Sequence, residues 1–153
     1  MTTFDSRTLG QVSEVFDLTI VDLLPAAEGV VSLELRAPDG ADLPEWQPGA
    51  HIDVLLPNGV VRQYSLCGNP ANHDSWRIGV LREPSSRGGS SFIHEQLRQG
   101  DTLTVAGPRN NFKLAEAERY LFIAGGIGIT PMLPMIRTAA AEGKPWTLLY
   151  GGR

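Results

Sequence analysis

Residues 62–66 read Arg-Gln-Tyr-Ser-Leu. On a strand, alternation sends Arg62, Tyr64 and Leu66 to one face and Gln63 and Ser65 to the other. A guanidinium, an aromatic ring and a hydroxyl this close together suit a planar ligand that carries an anionic group. The arginine can pair with a phosphate, the ring can stack, and the hydroxyl or its amide can hydrogen-bond a ring nitrogen. A half-buried strand also tolerates Arg and Tyr whose polar tips reach water, so the pentapeptide does not settle the matter alone.

A second group follows one strand later, at Ser86-Arg87-Gly88-Gly89-Ser90-Ser91. Two glycines let the backbone approach an anion closely, and the residues after them open a helical stretch whose N–H groups favour negative charge. Arg87 and the hydroxyls add donors. The third group is Ala124-Gly125-Gly126-Ile127-Gly128-Ile129-Thr130-Pro131. It follows an apolar strand and precedes a helix, the context that a dinucleotide-binding loop requires. It is not G-x-G-x-x-G, because Pro131 stands where the third glycine would be. Thr130 is expected as the N-cap and Pro131 at the first helical position.

The elements that must hold these groups change character along the chain. From Val12 to about Lys113, FDLTIVDLL, VVSLELRAP, HIDVLLP, VVRQYSL, WRIGVLRE and DTLTVAGP read as strands divided by turn chemistry. Asn58-Gly59 between two apolar runs is a hairpin signal. Six such runs at close spacing predict a small antiparallel barrel or sandwich. One helix interrupts them, capped by Ser90 or Ser91, with Ile93 and Leu97 on one face and Gly100 closing it. After Glu116 the order becomes strand (120–124), glycine turn, helix (132–142, closed by Gly143) and strand (146–150). That is the opening βαβ unit of a parallel nucleotide-binding sheet. Two parallel strands and one helix cannot cover both sheet faces, so the stretch reads as the first piece of a second domain.

Composition removes other classes. With 153 residues, 42% apolar and 20% charged, the chain can build a core without staples. Its 13 basic and 17 acidic residues give a net charge of −4, which does not suit nucleic acid or an anionic membrane surface. No run reaches the roughly 18 apolar residues of a membrane span. The N-terminus has no apolar signal core, and the expected location is the cytoplasm. Cys67 is the sole cysteine, and His51, His73 and His94 lack metal-ligand spacing, so no metal site is expected. No G-x-S-x-G elbow anchors a hydrolase triad.

RQYSL, GVLREPSSRGGSSFIHEQL, GDTLTVAGPRNNFKL and FIAGGIGITPML, in that order, resemble the ferredoxin-reductase superfamily. The similarity is to its phthalate dioxygenase reductase branch, which includes reductases like those of vanillate demethylase, and it runs from about Val12 to Arg153. Gly68-Asn69 departs from the Asn-Asp common after this YSLC stretch.

The resemblance implies a six-stranded antiparallel Greek-key barrel binding FMN over 12–115. The N-terminal part of an NAD(P)-binding α/β domain would follow over 118–153. Arg62 would hold the FMN phosphate, while Gln63, Tyr64 and Ser65 border the ring system. Val80, Leu81 and Arg82 would line the flavin from the next strand, and Arg87, Gly88, Gly89 and Ser90 would wrap its phosphate. Gly125, Gly126, Gly128, Thr130 and Pro131 would serve the pyridine nucleotide. Tyr64, Ser65 and Thr130 are the residues expected beside the reacting ring. The implied activity carries electrons from NAD(P)H through FMN to a plant-type [2Fe–2S] centre and then to the terminal component of an aromatic-compound oxygenase. One cysteine cannot ligate that cluster, so it is expected only in a full-length parent. Two other readings stay open: an FAD-dependent ferredoxin reductase-like enzyme, and a non-catalytic flavin-binding module. The SRGGS segment running straight into a helix favours the shorter FMN over FAD.

Overall fold

In the computed structural model, which describes residues 14–152, all six apolar runs pair into one sheet. The strands are β1 (Val15–Ala27), β2 (Val30–Arg36), β3 (His51–Leu55), β4 (Val61–Ser65), β5 (Trp76–Leu81) and β6 (Thr102–Arg109). They run antiparallel in the order β4-β3-β6-β1-β2-β5. Placing β6 beside β3 and β5 beside β2 gives the expected Greek-key arrangement. The expected barrel start at Val12, like Arg153, lies outside the described residues.

Period-two alternation explains why the sheet curls on itself. Leu18 and Ile20, Leu33 and Leu35, Ile52 and Val54, Ile78 and Val80, and Leu103 and Val105 each contribute one face of a strand to a single core with Trp76. Each such buried side chain contributes about 1.5–3 kcal/mol, so the sheet closes around them. The edge strands β4 and β5 meet without forming a ladder. The Cys67 amide donates to the Arg77 carbonyl at 2.9 Å and pins the two edges where β4 ends and β5 begins. Toward Arg62 and Leu81 the edges are not laddered together, and the cleft described below opens there.

Helix α1 (Ser90–Gln96) plugs one side of the barrel with Ile93, which is fully buried. Its capping differs from expectation. Gly89 is the N-cap and makes no side-chain cap bond; Ser86 Oγ instead accepts the Ser91 amide at 3.1 Å. The Ser90 hydroxyl is engaged elsewhere, accepting the Glu83 amide at 2.9 Å. Gly100 does not close the helix, which ends at Gln96. It turns the chain into β6 with φ 94° and donates to the Ile20 carbonyl.

The remaining elements are β7 (Tyr120–Gly125), a 3₁₀ turn at Gly126–Ile129, α2 (Met132–Ala141) and β8 (Trp146–Gly151). β7 and β8 pair in parallel from Tyr120↔Trp146 to Gly125↔Gly151. Gly143 follows α2 at φ 69° and donates to the Ala140 carbonyl. Thr130 is not the N-cap, because the glycine segment winds into a 3₁₀ turn before the helix begins. Thr130 has helical dihedrals, its hydroxyl donates back to the Ile127 carbonyl at 3.0 Å, and Pro131 occupies the cap position.

Candidate functional site

A cleft of about 580 Å³ lies between the β4 and β5 edges, the 83–90 loop and the 3₁₀ turn. That volume suits a cofactor-sized ligand. Because β4 is an edge strand, its free edge borders the cleft and Arg62, Gln63, Tyr64 and Ser65 all line it. β4 and β5 run in opposite directions, so Arg62 neighbours the end of β5 and the loop after it, and Ser65 lies toward Trp76.

The cleft has two unlike ends. At one end Arg62 and Arg87 provide positive charge beside Ser85, Ser86 and Ser90, with Glu83 as the opposing carboxylate. Arg62 donates from Nη1 to the Val61 carbonyl at 2.9 Å, which orients the guanidinium. At the other end Gly79 of β5 faces the 3₁₀ turn. A Cβ at Gly79 would lie 3.3 Å from Thr130 Cγ2 and 3.7 Å from Ile127 Cδ1, so glycine there lets the turn approach the barrel. Ile127, Gly128, Thr130 and Pro131 complete this wall. Between the ends, Tyr64 is half-buried against the core. Burial pushes its phenol up to about 12; Arg62 opposes that shift and Glu83 adds to it.

The structure thus brings to the cleft Arg62, Gln63, Tyr64, Ser65, Leu81, Arg87, Ser90, Gly128, Thr130 and Pro131. Other expected site residues sit elsewhere. Val80 points into the core and is 0% exposed, with its carbonyl bonded to the His94 ring at 2.8 Å. Arg82 is turned to solvent in an ion pair with Glu95. Gly89 packs against Arg62 and Gly88 against Asn58 and Val60, and neither Gly125 nor Gly126 borders the cleft. Gly79, Glu83 and Ser85 line the cleft without having been singled out, and Ser86 and Ile127 join them from the two glycine segments. The alternation of Trp76, Ile78 and Val80 carried the signal that Gly79 and Leu81 face away from the core.

The residues fit a flavin on the chemistry of this donor set. A half-buried aromatic edge and a glycine-lined wall leave room for a flat ring system, while two guanidiniums and serine hydroxyls gather where a phosphate would lie. Among the described residues no group of His, Cys, Asp and Glu could hold a metal ion. No described helix is long and apolar enough to cross a membrane.

No family model matches the chain. Comparison with individual proteins is informative. Vanillate O-demethylase oxidoreductase of Pseudomonas putida is 49% identical over 129 residues, covering 84% of this chain and 41% of that protein. The structure of phthalate dioxygenase reductase, described as modular for electron transfer from pyridine nucleotides to [2Fe–2S], superposes with a TM-score of 0.88. It is 40% identical and the match covers 91% of this chain and 44% of that one. Full-length CYP116B46 of Tepidiphilus thermophilus matches at TM-score 0.85 and 48% identity, over 91% of this chain and 19% of that one. In class, then, the chain resembles the flavin-binding barrels of the ferredoxin-reductase superfamily. Within it the similarity is to the branch of phthalate dioxygenase reductase and vanillate demethylase reductase. The chain spans about two fifths of the length of the curated relatives it matches.

Proposed function

We propose that this chain binds FMN in the cleft and serves as the flavin-binding part of a reductase component of an oxygenase system. One observation carries the reading: three sequence-distant segments (62–65, 79–90 and 127–131) converge on one cleft with a cationic end, a glycine-walled end and Tyr64 between them. Residues 12–115 would form the flavin domain and 118–153 the first part of the nicotinamide domain. The chemistry that FMN supplies when bound is two-electron acceptance from NAD(P)H and one-electron release toward a [2Fe–2S] centre of a longer parent.

The chain's own residues bind and orient. Arg62 and Arg87 neutralise the phosphate, and Ser86 and Ser90 fix the loop between them through the Ser91 and Glu83 amides. Tyr64 and Ser65 seat the ring at the strand edge. Tyr64 remains protonated far above neutral pH, so it offers a hydroxyl donor and an uncharged ring face. Thr130, held by its bond to the Ile127 carbonyl, stands where a nicotinamide would meet the flavin, with Gly128 and Pro131 beside it. The acceptor would be the terminal component of an aromatic-compound oxygenase, acting in the cytoplasm.

The test is anaerobic reduction of the FMN-loaded chain, followed as bleaching of the visible flavin band. These residues present two strand ends to a pyridine nucleotide, where a full sheet of this kind offers several. Productive transfer needs the nicotinamide within about 3–3.5 Å of its acceptor, and weakly held nucleotide spends little time there. Dithionite or light should therefore reduce the flavin readily and NADH slowly. Fast, saturable reduction by NADH would contradict the incomplete nicotinamide site. NADH reduction no faster than that of free FMN would favour the non-catalytic module.

A further inference from the structure

The cationic end of the cleft is tied to a residue whose sequence signature is only that of a turn. Asn58 sits at the tip of the β3–β4 hairpin, where its Oδ1 accepts the Val60 amide at 3.1 Å. Its Nδ2 reaches across 30 positions of sequence and donates to the Gly88 carbonyl at 2.8 Å. Gly88 has φ 85°, and a Cβ there would come within 3.1 Å of Asn58 Nδ2. The next residue, Gly89, is pressed against Arg62: a Cβ there would meet Nε at 2.7 Å and Cγ at 2.9 Å. Hairpin tip, glycine pair and guanidinium therefore form one interlocked stack at the end of the cleft where β4 and β5 are not laddered.

We propose that Asn58 is a positioning residue for phosphate selection. By holding the Gly88 carbonyl, its amide keeps the Gly88–Gly89 backbone against the Arg62 side chain and so fixes the guanidinium that receives a phosphomonoester. The proposal rests on the flavin reading above and adds to it a residue that contacts no ligand. Glycine at position 89 serves the arginine as much as the ligand, because only a side chain without Cβ lets Arg62 lie flat on the loop. An arginine already held in place loses less rotamer freedom when the anion binds, and that saving appears as affinity.

The experiment titrates the flavin-free chain with FMN and with riboflavin, which lacks the phosphate. Asn58→Ser keeps an acceptor for the Val60 amide, adds no charge and cannot reach Gly88. It should weaken FMN roughly 3- to 10-fold, the value of one lost hydrogen bond, and leave riboflavin unchanged. Gly89→Ala displaces Arg62 from the other side without touching the Asn58 bond, and should give the same riboflavin-sparing loss. In an Arg62→Ala background Asn58→Ser should cost FMN nothing further, since coupled residues are not additive. Equal losses for both flavins, an undiminished preference for FMN, or full additivity with Arg62→Ala would overturn the positioning role. If the unaltered chain binds neither flavin, the reading beneath the proposal fails with it.

Discussion

Arg62 and Tyr64 stand two residues apart on one strand edge, yet they answer to different physics. Arg62 is held by backbone contacts and presents charge, so its removal should matter to an anion alone. Arg62→Ala is expected to weaken FMN by about 1.5–3 kcal/mol, as for a charge-assisted bond, with much less effect on riboflavin. Equal loss of both ligands in a fluorescence titration would assign Arg62 to the fold or the ring. Tyr64 is governed by burial, which raises its phenol from 10.0 to about 12. A raised pKa contributes stability that is fully present below the unfolded value and lost as pH climbs through the folded one. Stability should therefore fall between about pH 10 and pH 12, and Tyr64→Phe should flatten that limb in denaturant melts. A pH profile unchanged by the substitution would show that the phenol is not desolvated. Arg62, Tyr64 and Ser65 were legible in the sequence because their side-chain types carry the chemistry. Glu83 was not, since only the folded loop turns it into the cleft. Gly79 lacks a side chain, and it matters through the space it leaves.

At the scale of elements, the β3–β6 pairing carries a burden the apolar pattern hides. Asp53 on β3 is 2% exposed and its carboxylate accepts from Arg109 Nη2 of β6 at 2.6 Å. His51 lies beside the pair, and burial together with Arg109 holds its imidazole below the usual value, with Asp53 pulling the other way. A buried carboxylate stripped of its partner pays the full desolvation cost. Arg109→Met should thus destabilise the protein by about 3–5 kcal/mol in urea unfolding, and adding Asp53→Leu should restore much of it. A loss below about 1 kcal/mol would mean the pair behaves as a surface bridge. The strands themselves were readable, because alternation of Leu18 with Ile20 or Ile52 with Val54 is a local signal. Helix starts were not: Ser86 caps from outside the helix, and the Gly126–Ile129 turn delays α2 past Thr130. Both depend on chain reversals that single residues do not announce.

For the molecule as a whole, the cleft exists only where the six-stranded sheet meets the turn that follows β7. Gly79 belongs to the six-stranded sheet and Thr130 to the segment after β7, and they touch because no side chain intervenes. Nothing local in RQYS or GGIGITP says that the two lie together; their order and resemblance to a family carried that expectation, and the fold supplies the juxtaposition. On β7 and β8, Leu121, Ile123 and Leu149 remain exposed while Phe122 and Ala124 are buried, as are Met135 and Ala139 of α2. Parallel strands normally have both faces covered, so this sheet would be the weaker half of the proposed nucleotide site and the barrel side the stronger one. That asymmetry is why flavin binding, more than turnover, is the central claim. The most direct measurement is the mass and stoichiometry of the cofactor released when the purified protein is denatured. One equivalent of FMN per chain is the predicted result. Stoichiometric FAD, or a colourless protein that FMN cannot reconstitute, would contradict the account.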